Sequence, residues 1–214
     1  MAVKNDREYR DMTMEIRSAE TEDVEQEERK VVKGYASTFN EPYTLYENED
    51  WRFDEVVDAR AFDNTDMSDV IMQYDHEGRV FARMSNNTLT VTPDEKGLLI
   101  EADLGGTELG RQLFEEIRGG YTNKMSFGFT VDGEVRNDSV MDDGRTLTTR
   151  TITSVRKLYD VSAVSLPAND ATSISVRTLT DGEIERIQAE RLEAEALELR
   201  RRKLLAKAKL NGGQ

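Results

Sequence analysis

Residues 124–131 read Lys124-Met125-Ser126-Phe127-Gly128-Phe129-Thr130-Val131. Successive side chains of a strand point to opposite faces. This stretch therefore puts Met125, Phe127, Phe129 and Val131 on one side and Ser126, Gly128 and Thr130 on the other. The apolar side belongs against a core. The other side carries a hydroxyl two residues from a glycine, where a neighbouring group can approach closely. Such a strand predicts a β-rich fold, and the flanking sequence extends the pattern.

Upstream, Thr107 to Arg118 places Leu109, Leu113, Phe114 and Ile117 at helical spacing, with Thr107 or its neighbours as a cap and Gly119-Gly120 as a stop. Before it, Thr88 to Thr92 and Gly97 to Leu104 flank the turn residues Pro93-Asp94-Glu95-Lys96, which predicts an antiparallel hairpin. Val70 to Tyr74 reads as a strand ending at Asp75-His76. Phe53 to Val57 is another, followed by a short helix over Asp58 to Asn64. Val31 to Ser37 is the first clear strand, and Met14 to Arg17 hints at one more. Downstream, a polar turn over Asn137 to Arg145 leads to strands at Thr146 to Val155 and Leu158 to Leu166, stopped by Pro167-Ala168-Asn169-Asp170. Many strands with few helices predict an α+β fold: a mostly antiparallel β-barrel decorated by a few helices.

Both ends differ from this core. Residues 1–30 form a polar N-terminal segment, and its nearly all-charged run from Glu20 to Lys30 reads as a solvated loop or hairpin tip. The core domain spans 31–178, with a first strand from about 14. Residues 181–210 are rich in Glu, Arg, Ala and Leu. Ala189, Leu192, Ala196, Leu199, Ala206 and Leu210 keep roughly heptad spacing, broken by Lys203. This segment reads as a long C-terminal helical tail with a narrow apolar stripe.

The 214 residues carry a formal net charge of -14, which argues against a nucleic-acid-coating role because phosphate binding needs clustered Lys and Arg. There is no cysteine, so disulfides, zinc–thiolate sites and cysteine nucleophiles are excluded. No apolar run reaches the roughly 18 residues of a membrane span. The N-terminus lacks the apolar centre of a signal peptide, and a soluble intracellular protein is expected. A single histidine, His76, must serve any mechanism that needs an imidazole.

Three strand-borne polar residues stand out: His76, Ser126 and Asp160. A serine hydroxyl becomes a useful nucleophile only beside a general base that a third group orients. Histidine is the usual base, since its unperturbed pKa lies near 6.5. On the residues alone the alternative stays open, namely an ordinary half-buried strand and a surface histidine.

The order of several short pieces resembles the prohead maturation proteases of tailed phages, a family similar in fold to the herpesvirus assembly proteases. The pieces are Gly34-Tyr35-Ala36-Ser37 with Phe39-Asn40, then Phe53-Asp54-Glu55-Val56-Val57 with Ala61-Phe62. Tyr74-Asp75-His76 with Ala82-Arg83 follows, then Met125-Ser126-Phe127-Gly128-Phe129. Tyr159-Asp160-Val161-Ser162, leading to Leu166-Pro167-Ala168-Asn169, comes last. The resemblance runs from about Met14 to Ala171. It implies that Ser126 is the nucleophile, His76 the base and Asp160 the third member. Asp160 stands where the family usually has Glu, and Ala82-Arg83 stands where it typically has Gly-Arg. Asp75 also neighbours His76, but adjacent strand residues point to opposite faces, which favours Asp160.

The resemblance further implies a serine endopeptidase that cleaves scaffold segments from capsid proteins, and itself, during prohead maturation. Its partners would be the major capsid protein with its scaffold segment and further copies of itself, without nucleic acid, membrane or cofactor. It would act in the host cytoplasm inside the immature procapsid. Self-cleavage would fall near Thr178 to Gly182 or before Val31. A different class of function is a non-catalytic scaffolding protein that co-assembles with the capsid through its C-terminal helix. A metal-dependent hydrolase using His76 with carboxylates is disfavoured by the single histidine.

Overall fold

The computed structural model describes residues 7–15, 17–18 and 30–164, and in the C-terminal segment 189–190, 192–193 and 196–203. The chain divides into two compact units, Met1–Ile174 and Ser175–Gln214. In the first unit the strands are β1 (Glu8–Glu15), β2 (Arg17–Ser18), β3 (Val31–Thr38), β4 (Tyr43–Glu47), β5 (Trp51–Val57), β6 (Ile71–Tyr74), β7 (Glu77–Arg83), β8 (Leu89–Pro93) and β9 (Gly97–Asp103). Helix α1 (Glu108–Arg118) precedes two long strands, β10 (Lys124–Val140) and β11 (Thr146–Val164).

These strands form two sheets. A seven-stranded sheet has the order β1-β10-β11-β5-β4, with β6 pairing β11 and β7. A four-stranded sheet has the order β2-β3-β9-β8. Strand β11 organises the larger one. Antiparallel β10 runs along it, while β5 pairs with Thr146 to Ile152 and β6 with Asp160 to Ala163, both parallel. Apolar faces of both sheets meet in one core that includes Val32, Ala36, Leu98, Ile100, Phe127, Phe129, Val161 and Ala163. Helix α1 adds Leu113, Phe114 and Ile117 to it and is capped by Thr107, whose Oγ1 accepts from the Gly110 N–H at 2.9 Å.

This corrects the expected architecture. Among the described residues no closed barrel forms, because neither sheet path returns to its start. Most strand pairs are antiparallel, as expected, and only the seven-stranded sheet is mixed, since β11 has two parallel partners there. The expected long helix over 181–210 is corrected: among the described residues helix runs over 196–203, with helical residues also at 189–190 and 192–193. Its stripe is too thin to bury a face. Leu192, Leu197 and Leu199 are all more than half exposed, and packing of such a face is what sustains helices in proteins.

Smaller differences have local causes. Residues 58–64 form successive turns, in which Ala61 N–H donates to Asp58 O and Asp63 N–H to Arg60 O, rather than a helix. The strands expected at 146–155 and 158–166 are one strand. Arg156 and Lys157 point outward, and Lys157 Nζ bonds Asp66 at 2.7 Å, so the polar pair is an exposed patch and not a break. Leu109 on α1 is exposed, while Gly110 takes the buried position.

Candidate active site

Strand β10 buries Met125, Phe127 and Phe129 in the core and turns Ser126 to the opposite face, as the alternation requires. Ser126 lies opposite Ser162 of β11 on one side and Asp11 of β1 on the other. Asp160 lies opposite Gly128 and two residues from Ser162, so it shares their face. His76 arrives from elsewhere. Strands β6 and β7 are joined by the two-residue loop Asp75-His76, with φ of 49° and 59°. Two left-handed residues in such a loop mark the turn type that suits the twist of a hairpin. The Asp75 N–H donates to Ala163 O at 3.0 Å, which fastens the turn beside β11.

The three residues meet. His76 Nδ1 bonds Asp160 Oδ2, and His76 Nε2 lies 2.5 Å from Ser126 Oγ. A carboxylate can only accept, so Nδ1 carries the proton and Nε2 offers its lone pair to the Ser126 hydroxyl. Arg10 O, at 3.1 Å from Oγ, is a second and longer-range acceptor for the same proton. Ser126 and Asp160 are buried, and His76 is slightly exposed. The one-methylene shortfall of Asp160 is met by direct pairing of β6 with β11, which leaves no strand between turn and carboxylate.

Several neighbours had gone unassigned. Ser162 Oγ lies 3.3 Å from both His76 Nδ1 and Asp160 Oδ2, and its i+2 spacing from Asp160 could have flagged it. Gly128 is required sterically, since a Cβ there would fall 2.5 Å from Asp160 Oδ1. The Tyr9 ring packs edge-on against the His76 ring at 4.4 Å, and nothing in the polar N-terminal segment signals this. Arg83 is bound to Asp69, at the far end of β7 from the His76 turn.

A buried ionic cluster ties β1 into the sheet. Glu55 accepts from Arg10 at 2.9 Å and from Arg150 at 2.8 Å, and also from Tyr43. Glu8 accepts from Arg150 at 2.7 Å. Burial pushes the Glu8 carboxyl up, but the Arg150 hydrogen bond and the charges of Arg10 and Arg150 outweigh it and hold the pKa at about 2. Burial likewise opposes ionisation of Glu55, and Arg10 and Arg150 again prevail and lower it. Burial and the adjacent Glu55 raise the Tyr43 phenol well above its ordinary value.

The family model described as caudovirus prohead serine protease matches residues 13–186. The chain belongs to this family. Neither curated proteins nor solved structures returned a match on comparison. A prohead serine protease has a protease role in prohead maturation, acts within the procapsid in the host cell and engages capsid proteins there. The matched span contains His76, Ser126 and Asp160, whereas Arg7 and residues 8–12 of β1 lie before it.

Proposed function

We propose that this chain is an active serine endopeptidase that removes scaffold segments from capsid proteins, with Ser126 as nucleophile, His76 as general base and Asp160 as its orienting partner. The observation that carries this reading is the continuous path from Ser126 Oγ through both ring nitrogens of His76 to Asp160. Ser126 Oγ bonds to the scissile carbonyl carbon as its proton passes to His76 Nε2. The imidazolium, supported by Asp160, then protonates the amine as the C–N bond breaks. Water then attacks the acyl carbon as its proton passes to Nε2, and that proton returns to Ser126 Oγ as the ester C–O bond breaks and the acid leaves.

Self-cleavage belongs to the same reading, and its expected segments near Thr178 to Gly182 and before Val31 lie outside the described residues. The proposed protease domain over 31–178 is extended here by β1. Co-expression with the major capsid protein tests the assignment. Ser126→Ala should lower processing by about three orders of magnitude or more, since triad members act as a unit. Undiminished processing by Ser126→Ala would overturn it.

A further inference from the structure

Asp160 Oδ2 is occupied by His76 and Ser162, but the buried Oδ1 makes no hydrogen bond among the described residues. The cation facing it is Arg7, whose Nη1 lies 3.6 Å away. Arg7 is held in place by two aromatic rings. Its guanidinium lies over the Tyr159 ring, 3.8 Å from the centroid, and Nη1 donates to the Tyr9 hydroxyl at 3.4 Å. The pairing of β10 with β11 passes from Gly128↔Asp160 to Phe129↔Leu158 and skips Tyr159. This bulge breaks the alternation, so Tyr159 and the adjacent Asp160 bear on the same cation. Strand β1 itself is anchored through buried Arg10 and Glu8, next to Arg7 in sequence.

We propose that Arg7 is a positioning residue of the active site, holding the Asp160 carboxylate in place beside His76. Residues 7–10 thereby become part of the site although they precede the family match. The inference rests on the catalytic reading above. The neighbouring titratable groups are Asp75 in the same turn, Tyr9 on β1 and Tyr159 on β11, with Lys157 paired to Asp66. Removing the Arg7 charge leaves the imidazole in more negative surroundings, which favours its protonated form.

Because His76 is the one histidine, its ring protons give an isolated NMR signal. In Arg7→Gln the midpoint of that titration should rise by about 0.5–1 pH unit, the size expected for a partly screened charge. The acid limb of Ser126 labelling by a fluorophosphonate should move with it. Arg7→Lys, which keeps the charge, should stay close to the parent protein. An unmoved midpoint in Arg7→Gln with the amide spectrum otherwise intact would overturn the proposal. Equal shifts in Arg7→Lys and Arg7→Gln would do the same, since packing rather than charge would then be responsible. The titration needs no catalysis, so it is independent of the Ser126→Ala outcome.

Discussion

Gly128 illustrates how one missing side chain serves the site. A Cβ at this position would sit 2.5 Å from Asp160 Oδ1 and 2.8 Å from the Tyr9 ring, closer than real contacts allow. Either the carboxylate or the ring must then shift. Both touch His76, so the imidazole loses its orientation while the core on the far face of β10 keeps its packing. Gly128→Ala should therefore lower kcat by about tenfold to a hundredfold, the effect of sub-ångström to ångström misplacement, with little change in KM. Steady-state cleavage of a capsid-derived peptide reads this directly. A Gly128→Ala enzyme with the parent kcat would show that Asp160 has room the steric argument denies it.

At the scale of elements, β1 is bound to its sheet by more than backbone pairing. Glu55 of β5 is fully buried and joins Arg10 of β1 to Arg150 of β11. Removing one partner from a buried ionic set strands the remaining charges in a poorly solvated place, which costs far more than an exposed pair contributes. Glu55→Gln should destabilise the protein by about 3–5 kcal/mol. Urea unfolding would measure it, and a loss below about 1 kcal/mol would mean that water reaches the cluster. The same element illustrates why sequence reading reached its limit. Glu8-Tyr9-Arg10 looks like part of a charged, solvated segment, and only pairing with β10 sets Arg10 against Glu55 and Tyr9 against His76.

For the molecule as a whole, the buried apolar residues of the core cluster all fall between Val32 and Ala163. The helical residues described beyond 188 are exposed. A chain ending at Gln188 keeps the whole family match and every residue of that core. Its thermal midpoint should stay within about 2 °C of the full chain, because the described residues that are removed are all exposed. Its rate of free-peptide cleavage should also be unchanged. A markedly lower midpoint would show that the C-terminal segment stabilises the first unit.

Much of this protein was legible from local pattern. Alternation around Ser126, the turn residues between β8 and β9, and the capped apolar face of α1 depend on residues close in sequence, and local stereochemistry dictates their outcome. Ser126, His76 and Asp160 could be named as candidates because few residue types support such chemistry and only one imidazole exists. Open sheets in place of a barrel and the unbroken β11 could not be read this way. They depend on which strand edges find partners and which apolar faces find cover. The strand around Ser126 therefore announced its own two faces. What stands against the Ser126 face, with Arg7 and Tyr9 from β1, His76 from the β6–β7 turn and Asp160 from β11, was decided by tertiary pairing alone. Those groups are separated by up to most of the core in sequence, and only the sheet brings their side chains within hydrogen-bonding and ring-contact distance.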